Sequence, residues 1–278
     1  VGLFQDLTSS WSKHNVSFQL PSLKVDGFTL PLIEKISEVR KSGLTFAIET
    51  PLDSWQCGIN KRVPFEKVKS ILHEAKLKGF RSAKFYFMIG LPGEREEDIR
   101  DIANLVKEIL GRGKKKGVHL GISAFIPKSH TPFQWTKQEE IKSLEEKMAI
   151  LHSLLRPLGR RVRYNWSDFE VNLVEGALSR GDRRISSVIE RVYRKGGMMD
   201  NWREFFSLRR WQEGFEEEGL DLDFYTHRER DREEIFPWEH LSPGVSKDFL
   251  WKEYQLSQEE KITPPCQEGK NCYNCGVC

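Results

Sequence analysis

The stretch Ala83 to Glu94, AKFYFMIGLPGE, constrains the fold of this chain more than any other. An apolar, aromatic run from Phe85 to Ile89 breaks at Gly90, turns through Leu91-Pro92-Gly93 and enters an acidic segment at Glu94, Glu96, Glu97 and Asp98. That order spells a buried strand, a tight turn and a helix N-terminus. The two glycines let backbone N–H groups approach a ligand closely, beside the positive end of a helix dipole. Taken alone it is also the build of an ordinary strand-to-helix connection. What raises it above that is repetition of the same build on either side.

Before it, Val16 to Leu20 is a short strand candidate closed by Pro21, and Leu30 to Arg40 places Leu32, Ile33, Ile36 and Val39 on one helical face. Leu44 to Ile48 is a further strand that delivers Glu49-Thr50-Pro51, and a helix from Pro64 buries Val68, Ile71, Leu72 and Ala75. After it, a helix aligns Ile99, Ile102, Ala103, Val106 and Ile109. The strand Val118 to Ile126 then ends in Pro127-Lys128-Ser129-His130-Thr131-Pro132, and a helix follows with Ile141, Leu144, Met148, Leu151 and Leu155 in register. Strand-helix alternation predicts a parallel sheet, as part of a barrel or as a doubly wound sheet. Both architectures place ligands at the C-terminal strand ends. Here those ends carry Pro21-Ser22, Glu49-Thr50, Gly90 to Gly93 and Pro127-Lys128.

Beyond residue 160 the character changes. Arg161 to Trp166 reads as one more strand. Helices follow over Asp168 to Leu178, with Phe169, Leu173, Val174 and Leu178 inward, and over Arg184 to Arg194, with Ile185, Val188, Ile189 and Val192 inward. From Trp202 to Tyr254 the periodicity is weak and aromatics are dense, so Trp202, Trp211, Trp238 and Trp251 are expected to pack a helical appendage. The expected division is an α/β unit over 1–160, an aromatic-rich helical unit over 161–260 and a cysteine tail over 261–278.

With 278 residues, 38% of them hydrophobic and 31% charged, the chain suits a globular protein, and no apolar run approaches the roughly 20 residues of a membrane span. No secretory signal is visible, so a cytoplasmic location is the expectation. The net charge of +3 does not by itself call for nucleic acid. Cys266, Cys272, Cys275 and Cys278 form C-x5-C-x2-C-x2-C, a spacing that bends thiolates toward one metal and serves zinc or an iron-sulfur cluster alike. Cys57 reads as a small, partly buried thiol, and His130 as a loop-ordering group. Glu49 stands at the end of an apolar strand, where a carboxylate is costly unless it is paired or faces a ligand cleft.

These residues together resemble the C-terminal part of radical S-adenosylmethionine (SAM) enzymes, in particular the subfamily whose full-length members carry a cobalamin-binding-type domain ahead of the barrel. LTFAIET with Ile59-Asn60-Lys61 is similar to that superfamily's fourth-strand pattern, FMIGLPGE with Glu97-Asp98-Ile99 to its fifth, and PKSHTPFQW to the sixth-strand exit. EGALSRGDRR, FYTHRERD, PWEHLSPGVSKDFL and the terminal cysteines resemble the subfamily's own tail.

The resemblance implies a partial (β/α) barrel of the radical SAM type, with a mainly helical appendage ending in a four-cysteine metal site. It implies SAM bound across the strand ends: Glu49 with Thr50 at the ribose, and Gly90, Leu91, Pro92, Gly93, Glu94, Phe125 and Pro127 along the adenine. It further implies a 4Fe-4S cluster on C-x3-C-x2-C, an electron donor such as flavodoxin or ferredoxin, and cobalamin through an upstream domain. This sequence contains no C-x3-C-x2-C, and the barrel's first two strands are missing from it. With Val1 in place of Met, the expectation is the distal part of a longer polypeptide, or the second of two, acting on a substrate the sequence does not name. The rival reading is a non-catalytic, metal-stapled scaffold that docks RNA or a protein through Arg160, Arg161, Arg163, Arg183 and Arg184.

Overall fold

In the computed structural model the described residues are 2–14, 16, 44–79, 82–111, 117–266 and 272–277. Apart from Val16, the expected strand Val16 to Leu20 lies outside them, as do the expected helix Leu30 to Arg40, Pro21-Ser22 and Cys278. A first helix, α1, spans Gly2–Trp11.

Four strands follow: β1 Leu44–Glu49, β2 Ser82–Ile89, β3 Gly117–Ala124 and β4 Val162–Trp166. They form one parallel sheet in the order β1-β2-β3-β4, with no reversal of strand order. The fold is therefore α/β, and β4 occupies the place expected of Arg161 to Trp166.

Alternate residues of each strand go inward. Phe46, Phe85, Leu120 and Val162 join Ile48, Phe87, Ile89 and Ile122 in one apolar cluster. The helices α3 Phe65–Leu77, α4 Glu96–Leu110 and α5 Ile141–Leu155 cover that face. A short α2, Asp53–Gly58, precedes them. The amphipathic spacing of α4 explains its seat, since Ile99, Ile102, Ala103, Val106 and Ile109 are all buried. Phe46 and Phe85 stack with ring centroids 5.3 Å apart, and burying each ring contributes about 1.5–3 kcal/mol.

Helices dominate the rest. α6 Phe169–Arg180, α7 Ile185–Arg194, α8 Leu208–Glu217 and α9 Leu222–Thr226 share a second core built from Leu173, Val188, Trp211, Phe215 and Tyr225. Three expectations fail here. Leu178, Ile189 and Trp202 are exposed, because Ala177 and Arg180 take the inward positions of α6, and Val188 and Val192 those of α7.

The last helix, α10 Lys247–Gln258, joins Trp135, Phe236 and Trp238 in a third cluster. Among the described residues no helix is long and apolar enough to cross a membrane.

Candidate functional site

At the end of β1 the backbone is strained. Glu49 has φ +65°, and the Thr50 N–H donates to the Ile48 carbonyl at 2.9 Å, which makes Glu49 the centre of the rarer, costly form of γ-turn. The surroundings enforce it. Buried Gln56 donates to the Thr50 carbonyl at 2.8 Å and accepts from the Val63 N–H at 2.8 Å, clamping the loop from both sides. One Glu49 oxygen takes Lys61 Nζ at 2.5 Å, and the other has no hydrogen bond among the described residues. The carboxylate is thus held by the lysine of Ile59-Asn60-Lys61 with one oxygen still open. Thr50 itself is buried and supports the loop through its hydroxyl, which accepts from the Leu52 N–H.

At the end of β2, Gly90 and Gly93 have φ +81° and +75°. The Glu94 N–H donates to the Leu91 carbonyl at 3.0 Å, closing a turn with proline second and glycine third, the type II pattern. Leu91 is buried and Gly93 exposed. Glu94 faces inward. Its side chain is 4% exposed, accepts from the Gly90 N–H at 2.6 Å and pairs with Lys147 Nζ at 3.0 Å, while Lys147 also meets Glu139 at 3.1 Å. Burial pushes the Glu94 carboxyl upward against the pull of Lys147 and Gly90. Burial also opposes the Lys147 charge, but Glu94 and Glu139 outweigh it and hold the ammonium above its ordinary range. Glu94 therefore shapes the turn from behind. Asp98 finishes the job by accepting from the Arg95 N–H at the start of α4.

At the end of β3 the Phe125 N–H donates to the Ile89 carbonyl at 2.8 Å, which ties the exit to β2 although the strand stops at Ala124. Phe125 and Pro127 are buried. The exit loop is anchored by Trp135, which meets Trp251 edge-on at 4.9 Å, and by Gln134, which accepts from Trp238 Nε1 and from the His130 N–H. His130 has φ +54°, and it is its backbone N–H that takes part in this anchor.

These three strand ends border a sheet face that the sequence reading missed. Thr45, Ala47, Lys84, Tyr86, Met88, His119, Ser123, Arg163 and Asn165 alternate with the core residues, and none joins an apolar cluster of the described residues. Parallel sheets are normally covered on both sides. This one is apolar under its helices and polar opposite them. The alternation of apolar and polar residues in KFYFM and HLGIS was the available signal.

Hollows lie elsewhere among the described residues. One of about 350 Å3 sits between Trp55, Pro92, Gly93, Arg95 and Ser257. A larger one of about 590 Å3 lies on the helix side of β4, beside His152, Arg156, Trp166 and the Asp168–Arg203 ion pair. It takes in none of the predicted strand-end residues.

In the tail, Cys266 and Cys272 are exposed and Cys275 half-buried, and none of the three forms a disulfide. The Asn274 N–H points to Cys272 Sγ at 3.5 Å, Asn274 and Gly276 have positive φ, and the Ser246 N–H holds the Cys275 carbonyl at 2.7 Å. In the same turn the Cys272 thiol points to Asn274 Oδ1 at 3.4 Å. Among the described residues no three metal-ligating side chains are gathered. Of the basic residues proposed for docking, Arg161 donates to the Leu110 and Gly111 carbonyls and Arg184 is paired with Asp182, whereas Arg160, Arg163 and Arg183 are exposed.

No protein-family model matches the chain. It is similar to the "Uncharacterized protein MJ0966" of Methanocaldococcus jannaschii, 27% identical over 177 residues. The match covers 64% of this chain and 38% of that protein's length.

Chemically, the strand ends offer a carboxylate with one open oxygen, a glycine turn whose backbone is reachable at Gly93, and a polar floor.

Proposed function

We propose that this chain is the distal part of a radical SAM enzyme, in which the four strands are one side of a partial barrel and the polar face lines its interior. The observation that carries the reading is the polar face, which joins no apolar cluster of the described residues and is bordered by Glu49, Gly90 and Phe125, the residues at which the sequence resembles the SAM-binding strand ends. Supporting it is the order of the four described strands, which follows the sequence without reversal, as along one side of a barrel.

In this reading the open Glu49 oxygen accepts from the ribose hydroxyls, with Lys61 fixing the carboxylate and Gln56 and Thr50 fixing the loop. The backbone from Gly90 through Leu91, Pro92 and Gly93, with Phe125 and Pro127, lines the adenine. Glu94 and Lys147 keep that turn in shape and touch no ligand. Held by these residues, and given one electron from an iron-sulfur cluster, SAM would supply radical chemistry to the substrate. The ligands of that cluster are not in this chain. Cys266, Cys272, Cys275 and Cys278 would hold zinc or a second cluster, and the C-x2-C turn fits either.

The test is anaerobic production of deoxyadenosine from SAM by the full-length protein after reduction. The expected result is turnover in the parent and a loss of at least 100-fold in Glu49→Ala. A parent that carries its cluster yet neither binds SAM nor forms deoxyadenosine rules the proposal out.

A further inference from the structure

The open sheet face has an unequal charge distribution. Lys84, His119 and Arg163 are register partners on β2, β3 and β4, so they form one transverse row, with Thr45 next in line on β1. Neighbouring strands are about 4.8 Å apart, so the three basic groups span roughly 10 Å. None of them makes an ion pair with a described residue. The described acid on this side, Glu49, stands at the far rim and is already paired with Lys61.

The row is also built rather than scattered. Lys84 Nζ is held over the Tyr86 ring, 4.6 Å from its centroid. That ring lies across Gly121, where a Cβ would come within 2.7 Å of two ring carbons. Glycine at 121 thus lets Tyr86 lie flat, and Tyr86 in turn fixes the ammonium. Lys84 is half-buried, while His119 and Arg163 are exposed. A face that gathers basic side chains with no ion pair to a described residue is complementary to an anion.

We propose that this row anchors the phosphate of a phosphomonoester, as the handle of the substrate. A lone carboxylate is matched by one guanidinium fork, whereas a dianion with three acceptor oxygens takes donors from several sides at once. Lys84, His119, Arg163 and the Thr45 hydroxyl supply that spread. Ile89 is five residue steps beyond Lys84, about 16 Å at the strand rise of roughly 3.3 Å per residue. The handle therefore sits deep on the face, and an extended substrate places its far end at the Gly90 turn. The inference rests on the open face being the ligand face of the proposed enzyme.

The experiment is calorimetric titration of glycerol 3-phosphate into the chain and its variants, with inorganic phosphate, acetate and a short single-stranded oligonucleotide as comparisons. The expected result is binding of the phosphomonoester that weakens about tenfold in Lys84→Gln and in Arg163→Gln and about 100-fold in the pair. Gly121→Ala, which lifts Tyr86 from beneath Lys84, weakens it by a similar factor to Lys84→Gln. Thermal melts of the same variants check that each is folded. Unchanged affinity in the Lys84 and Arg163 variants overturns the proposal. So does binding of inorganic phosphate or acetate as tight as the ester, or binding of the oligonucleotide alone. Glu49→Gln separates the two claims: it weakens SAM and leaves glycerol 3-phosphate untouched. Loss of SAM binding in every form, with the phosphate response intact, refutes the enzyme reading without touching the anchor.

Discussion

The two faces of the sheet are made by the same four strands, yet they answer to different physics. On one, Phe46, Phe85, Phe87 and Leu120 are wholly or almost wholly buried under three helices, and every side chain is there for packing. On the other, His119 and Arg163 are exposed, Lys84 and Tyr86 are half-buried against each other, and none of the four joins an apolar cluster of the described residues. A sheet that only had to be stable would bury both faces. The contrast assigns stability to the first and binding to the second, and the strand ends, where Glu49 is strained and Glu94 buried, are where the two meet.

The assignment can be broken by substitution. Phe85→Ala should cost the most, about 3–5 kcal/mol by urea denaturation, because a fully buried ring stacked on Phe46 leaves a cavity.

Lys147→Met comes next, about 3 kcal/mol, because it leaves the Glu94 carboxylate buried without its partner. Its pH dependence is diagnostic. A buried carboxyl binds its proton more tightly folded than unfolded, so the variant should lose stability as pH rises above the unfolded value of 4.5 and regain it on acidification. Melting temperatures at pH 5 and pH 7.5 check the sign, and a variant equally stable at both would mean that Glu94 is not held in a dry site.

Gly90→Ala should cost about 2 kcal/mol, from a positive φ and from a Cβ 2.9 Å from Leu144 Cδ2. At the small end, Lys84→Gln and Arg163→Gln should each change stability by less than about 0.5 kcal/mol in the same denaturation experiment. A loss of 2 kcal/mol at either would show that the polar face is packed after all, and the comparison would collapse.

Much of the covered face was legible in the sequence, because hydrophobic period reports packing directly. Leu44 to Ile48, Phe85 to Ile89 and the stripes of α4 and α5 appear where expected, and the Gly90 to Gly93 turn follows from its glycines and proline. The polar face was not, because a half-polar strand says nothing about what covers it. Glu49 stood out as a carboxylate at an apolar strand end, but its strained φ and the Gln56 clamp depend on contacts between residues 49–50 and 56–63 that no local pattern encodes. Glu94 looked like a ligand-side acid of a helix N-terminus. Its inward turn is decided by Lys147, on a helix that follows α4 and β3 along the chain. The exposed Trp202 and Ile189 show the same limit from the other side, since aromatic density and spacing do not say which helix has a neighbour.

The most direct measurement is amide hydrogen exchange of the full-length protein with and without SAM. Protection gathered at residues 45–50, 84–94 and 121–127, with the helix-covered elements α3 to α5 unchanged, is the outcome this account predicts. Protection around Trp166 and Arg156 instead, or none at all in a cluster-loaded protein, would contradict it.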